Sequence, residues 1–297
     1  MTSAGGGLQI GGADEEFRLL RNGVVFHELD HEQIRAACIG LSSVLLLPGL
    51  NTVIDQDHQW FWSWCAELLC RSGSSYFSSE SDRELRATVG LCCRAALAGV
   101  YRNDRDGWER QRDQSKNMEH NARAWVQGAH TALAYLAFPL LEGIVKKHCA
   151  RYVGMDGRVV EAFEVARIDG TARPYRVGQP CSSLRDMLWL LFDRVASEDL
   201  RHDLDEQRIH LGAFASESED GFEVLYRWRN SSLHGEASLS TIGGTVLSTA
   251  LLISISALQA EYESVRASAV DGVRREAMSA ASGIDYRSPW SYYPPYF

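Results

Sequence analysis

The sequence predicts an all-α fold, on three observations. Apolar residues recur at helical spacing along most of the chain, strand-like alternation is confined to one short segment, and helix-starting and helix-stopping residues bracket the apolar stripes. Hydrophobic residues make up 45% of the 297 residues and charged residues 23%, which suits a chain able to bury one large or two ordinary cores.

Residues 1–16 are Gly-rich, acidic at the end, and expected to form a disordered tail. They lack the charged and apolar regions of a signal peptide. Residues 17–115 read as a mainly helical region. One helix spans 55–71, with Trp60, Phe61, Trp64, Leu68 and Leu69 at helical spacing. Trp60, Trp62 and Trp64 stand two apart and cannot share one helical face, which assigns them to core and interface rather than to a base-stacking platform. A second helix spans 82–101, with Leu85 and Val89 on one stripe and Ser81 and Glu84 as a capping box. The polar run 102–119 is the expected boundary before a second helical domain, residues 116–283.

That domain begins with a long helix over 120–152, with Leu133, Leu136, Leu140 and Ile144 on one stripe and a kink at Pro139. Residues 159–163 and 175–177 alternate around Asp169-Gly170, which predicts a short inserted β-hairpin. Ser182 or Ser183 caps a helix carrying Leu184, Met187, Leu188, Leu191 and Val195, and another helix spans 217–234. The last spans 244–266. The stretch 237–260 holds no charged residue and is long enough to span a bilayer. Its recurrent Ser and Thr, Gly243-Gly244 and lack of basic flanks favour burial in a bundle or a subunit interface instead. Residues 284–297, with Trp290, Tyr292, Tyr293 and Tyr296 around Pro294-Pro295, are expected to dock as an irregular aromatic strap.

The net charge of −9 opposes broad coating of nucleic acid, so a nucleic-acid enzyme of this composition needs a local basic pocket or a brief grip. The seven cysteines show no repeated spacing and suit buried thiols in a reducing cytoplasm. Cys65 and Cys70 have no matching second pair, and Asp203-Leu204-Asp205 reads as a charged loop, so neither a metal site nor a cofactor is expected.

The stretch Arg229-Asn230-Ser231-Ser232-Leu233-His234-Gly235 carries the chemistry. Arg can clamp a phosphate through two parallel hydrogen bonds, and His moves protons near neutral pH. Arg followed by His after four to six intervening residues is common: Arg21 and His27, Arg123 and His130, and Arg227 and His234 also fit. Asn22 follows Arg21, but Gly23-Val24-Val25 reads as a turn into a strand. On a straight helix residues five apart diverge by about 140°, so Arg229 and His234 converge only where the helix ends or where a second subunit adds its own pair. Gly235 is the expected helix stop, which puts His234 in the last turn, at the carbonyl end of the helix dipole.

Arg229-Asn230 with His234 resembles the R-N-x-x-x-H motif of the HEPN superfamily, and the element order over residues 120–268 is similar to its helical bundle. The resemblance implies a metal-independent endoribonuclease in which a ribose 2′-hydroxyl attacks the adjacent phosphorus. His234 would move protons, Arg229 would neutralise phosphorane charge, and Asn230 would orient the phosphate or hold His234. Glu142 would be the acidic residue that faces the motif from the first helix. The resemblance further implies a cytoplasmic homodimer with facing motifs, RNA as substrate, a role in defence or as a toxin, and an inhibitory or antitoxin partner; no membrane is involved. Arg227, Lys146 and Lys147 are candidate RNA contacts, with Lys146 and Lys147 on a basic lip that His148 and Arg151 extend. The alternative is a noncatalytic HEPN-like module that binds nucleotides or RNA or scaffolds a partner.

Overall fold

The structure, a computed structural model, describes residues 2–4, 7–10, 18–19, 26–44, 57–71, 73–98, 116–166, 172–217, 219–235 and 239–281. Most of the 1–16 tail, the 102–115 part of the polar boundary, the Asp169-Gly170 turn and the 284–297 strap lie outside them.

The fold is all-α. In chain order it contains helices α1 (His31–Val44), α2 (Asp57–Cys70), α3 (Arg83–Ala98), α4 (His120–His148), α5 (Leu184–Leu190), α6 (Glu198–Gly212), α7 (Gly221–Leu233), α8 (Leu239–Ser256) and α9 (Tyr262–Ala281). Short strands β1 (Thr2–Ala4), β2 (Gly7–Ile10) and β3 (Arg18–Leu19) pair antiparallel near the start of the chain, so the described parts of the tail expected to be disordered are paired strands instead. Strands β4 (Phe163–Ala166) and β5 (Ala172–Tyr175) form the inserted hairpin, with Phe163 opposite Tyr175 and Ala166 opposite Ala172. The ladder therefore lies deeper in the 159–177 segment than the alternation suggests, because it is the Phe163, Val165 and Tyr175 side chains that meet the core.

The uncharged segment became α8, the central strut. Val246, Leu247, Ala250, Leu251, Ile253 and Ile255 are all fully buried, as expected for a helix apolar on every side. Its hydroxyls are also used internally. Ser248 Oγ accepts from Trp62 Nε1 at 3.0 Å, Thr245 Oγ1 donates to the Ser42 carbonyl at 3.1 Å, and Thr249 Oγ1 accepts from Gln207 Nε2 at 2.7 Å. A Cβ on Gly243 would come within 2.8 Å of the Ala134 backbone nitrogen, so glycine lets α8 cross close to α4. Of the two expected sites of burial, a bundle or a subunit interface, the structure shows the bundle of one chain. By length and composition the stretch Gly128–His148 of α4 could also cross a bilayer, but half of it is buried in this bundle.

Helices α1, α2 and α3 share the core of α4 and α8, since one cluster of buried apolar side chains runs from Phe26 to Val273. All seven cysteines are buried and unpaired. Trp62 and Trp64 are both buried although two residues apart, because α2 has protein on nearly every side.

Several boundaries differ from the sequence expectation. Ser81 does not open α3: a short 3-10 turn, Glu80–Asp82, precedes it, and Ser79 accepts from the Ser81 N–H instead. Helix α5 is capped by Ser183, whose Oγ accepts from the Asp186 N–H at 3.2 Å, and it passes into a π turn at Leu191–Val195. Asp203 and Asp205 sit on helix α6 rather than in a loop. Asp203 is buried and accepts from Arg35 Nε at 2.7 Å, while Asp205 pairs with Arg208 at 2.6 Å. The last helix expected, 244–266, is broken. Turns at 257–261 separate α8 from α9, and the Glu261 carboxylate takes hydrogen bonds from the Ser75 N–H at 3.2 Å and the Ser75 hydroxyl at 2.8 Å.

Candidate functional site

Helix α7 carries the motif and is fixed at both ends. At its start the Asp220 carboxylate accepts from the N–H groups of Phe222 and Glu223 at 2.7 and 3.0 Å, and Glu223 reciprocates by accepting from the Asp220 N–H at 3.1 Å. At its end His234 is the cap residue, and its N–H donates to the Asn230 and Ser231 carbonyls, each at 3.2 Å. Gly235 then turns the chain away at a φ of +73°, a conformation that glycine adopts without strain. Phe222 and Leu225 anchor the inner face in the core, which leaves Arg229 and Asn230 half-buried and His234 exposed.

Helix α4 runs past this outer face in the opposite direction. Residues 135, 139, 142 and 146 share one stripe of α4 by helical spacing. Tyr135 donates its hydroxyl proton to the Ser232 carbonyl at 3.2 Å, and two turns on Glu142 Oε1 accepts from Arg229 Nη2 at 3.3 Å. Arg229 Nη1 also donates to Asn230 Oδ1 at 3.2 Å. The structure therefore brings Arg229, Asn230 and Glu142 together, with charges of opposite sign side by side. The ring of His234 makes no hydrogen bond or ion pair with a described residue and is not tied to these three.

The expected basic lip is divided. Lys147 donates to Asp82 at 2.6 Å and lies over the Tyr76 ring at 5.3 Å, on the far side of the helix from the motif stripe. It is a structural ion pair, not an open phosphate contact. Next to it, His148 shares a hydrogen bond with the Tyr76 hydroxyl at 2.9 Å, and burial, assisted by Lys147, pulls its pKa down to about 4. Lys146 stays on the Glu142 stripe, near Gly157 and Cys181, and forms no ion pair with a described residue. Burial pushes the Cys181 thiol up to about 11. Arg227 points away from Arg229: its Nε donates to Glu219 at 3.0 Å and its Nη2 to the Phe214 carbonyl at 2.7 Å. These bonds hold the α6–α7 connection, and the Glu219 carboxyl, which accepts first from the Ser216 N–H and also from Arg227, titrates below its ordinary value.

Two features had no assigned role in the sequence. Tyr135 is legible only as a member of the stripe at 135, 139, 142 and 146, which requires knowing that α7 crosses it. The second is a buried charge network. Asp186 is fully buried and accepts from Arg173 at 3.1 Å, from Arg185 at 2.6 Å and from the Tyr175 hydroxyl, and Arg185 continues to Glu223 at 2.6 Å. It ties the hairpin and α5 to the start of α7, so two arginines offset two carboxylates.

Among the described residues no group of three His, Cys, Asp or Glu side chains is placed to hold a metal ion. Two concave surfaces lie elsewhere. One, of about 740 Å³, is lined mainly by acidic residues with His31, Arg35 and His202; the other, of about 500 Å³, by His27, Glu263, Arg266 and Arg274. Comparison of the chain with family models, curated proteins and solved structures finds no match.

Proposed function

We propose that the chain is a metal-independent endoribonuclease acting through Arg229 and His234, as the likeness of its motif to that of the HEPN superfamily implies. The observation that carries this reading is the pairing of Arg229 with Glu142 and Asn230 on the helix that an exposed imidazole ends. Arg229 uses only two of its donors in these contacts and keeps others for a phosphate. Glu142 fixes the guanidinium and offsets its charge, which suits a substrate that is gripped briefly by an acidic protein.

In the reaction, one His234 takes the proton of a ribose 2′-hydroxyl. The 2′-oxygen bonds to the adjacent phosphorus, and the bond from phosphorus to the 5′-oxygen breaks. A second His234, from the other copy in a two-fold dimer, gives a proton to that leaving oxygen, and Arg229 neutralises the charge on the phosphorane oxygens. The products are a 2′,3′-cyclic phosphate and a free 5′-hydroxyl. Because α8 is internal, the dimer face lies elsewhere, and the exposed end of α7 at Leu233 and His234 is the surface that would bring two histidines together.

Incubating the pure protein with total RNA in EDTA tests the reading. Cleavage that disappears in His234→Ala and in Arg229→Ala, with unchanged thermal melts, is the expected result. Retarded but uncut RNA would identify a noncatalytic RNA-binding module instead.

A further inference from the structure

We infer that Tyr135 forms a nucleobase subsite beside the scissile phosphate; this rests on the ribonuclease reading and names how that same site holds its substrate. Tyr135 is 45% exposed, although a tyrosine in the middle of a long core helix ordinarily buries its ring. Its hydroxyl is occupied by the Ser232 carbonyl, in the last turn of α7 and two residues before His234. That bond holds the ring against the end of α7 while leaving much of the ring surface in solvent. A ring held in this way is a preorganised stacking surface, because little rotamer freedom remains to be lost when a base arrives.

The surroundings fit a nucleotide rather than a purely apolar partner. Along the same stripe of α4, Glu142 holds Arg229 two turns on, and Lys146, without an ion pair among the described residues, lies one turn further. Base, phosphate and neighbouring phosphate would meet Tyr135, Arg229 and Lys146 in that order. Pro139, exposed between Tyr135 and Glu142, adds a polar feature. It has no N–H to offer the Tyr135 carbonyl, so an acceptor without its helical donor lies between ring and guanidinium. Every base can stack, and every base carries an N–H on its pairing edge, so the subsite tolerates any sequence and serves to align the ribose with Arg229 and His234.

The experiment uses the full chain carrying His234→Ala, which prevents cleavage, and a fluorescent trinucleotide RNA, too short to slide to a second register across one base and two phosphate contacts. Anisotropy is measured for the RNA and for versions with one abasic ribose placed at each position in turn. One abasic position is expected to weaken binding about tenfold or more, the range of base–aromatic stacking. Adding Tyr135→Ala should weaken the intact RNA by the same factor and make the abasic position silent, whereas Tyr135→Phe keeps the stacking. A flat abasic scan, or intact binding by a folded Tyr135→Ala protein, overturns the subsite while cleavage by the parent still supports the ribonuclease. If Tyr135→Ala instead turns a dimer into monomers by light scattering, a second copy occupies the ring and the subsite is wrong. If the parent neither binds nor cuts RNA, the ribonuclease reading fails and the subsite with it.

Discussion

His148 and His234 both close a helix, yet the protein treats them in opposite ways. His148 ends α4 facing protein, shares a hydrogen bond with Tyr76, and has its pKa lowered to about 4 by burial. His234 ends α7 facing solvent, with its backbone N–H committed to the helix and its ring uncommitted among the described residues. The cations beside them differ in the same way. Lys147 is locked to the buried Asp82, whereas Arg229 is held by a half-exposed Glu142 and keeps donors to spare. A helix-terminal histidine is therefore a buried structural element in one place and an exposed, uncommitted ring in the other. Its partner and exposure make the difference, not its position on the helix.

The largest contrast should appear in activity. His234→Ala is expected to reduce RNA cleavage by about 10²–10⁴-fold, the usual worth of acid–base assistance, and to leave the melting temperature nearly unchanged. His148→Gln, which keeps an acceptor for Tyr76, should keep its activity. Equal loss of cleavage in both variants would show that the two histidines are not distinct in role.

The next effect is on stability against pH. Because the folded pKa of His148 lies below the ordinary value of 6.5, the unfolded chain takes up the proton first as pH falls. The contribution is present above about pH 6.5 and lost as pH falls toward 4, amounting to about 3 kcal/mol at most. Denaturant melts at pH 7 and pH 4 should show this loss in the parent and a smaller one in His148→Gln. An identical pH dependence in the two proteins would remove the contrast.

Much of the fold was legible in the sequence. The uncharged run at 237–260 had to be buried, and α8 became the center of the bundle; Gly235 stopped α7 where a helix stop was expected. Helix α6 was not legible because half of its inward face is polar. Asp203 and Gln207 alternate with Leu200, Leu204 and Leu211, and only Arg35 and Thr249, distant in sequence, make their burial tolerable. At the site, Arg229 and Glu142 lie together, a contact that the family resemblance implied and that spacing by itself did not. The fates of Lys147 and Arg227 depended on Asp82 and Glu219, partners that spacing alone does not identify.

Smaller effects sharpen the comparison. Glu142→Ala should lower kcat about tenfold by letting Arg229 drift, and Glu142→Gln should restore most of it, since an amide oxygen still accepts the Arg229 hydrogen bond. Failure of Glu142→Gln to rescue would mean that the charge, not the positioning, matters. Arg227→Ala should be the mildest: activity within about twofold and a stability loss under about 1 kcal/mol, as for an exposed ion pair. A large loss of RNA binding there would return Arg227 to the substrate path.

The central claim, that Arg229 and His234 cleave RNA through its own 2′-hydroxyl, is tested most directly by the ends of the products. A labelled oligoribonucleotide with one 2′-deoxy linkage, incubated with the pure protein in EDTA, should be cut at its ribose linkages and spared at the deoxy one. The fragments should carry 2′,3′-cyclic phosphate and 5′-hydroxyl ends. Fragments with 5′-phosphates that form only when a divalent metal is added, or cutting at the deoxy linkage, would contradict it.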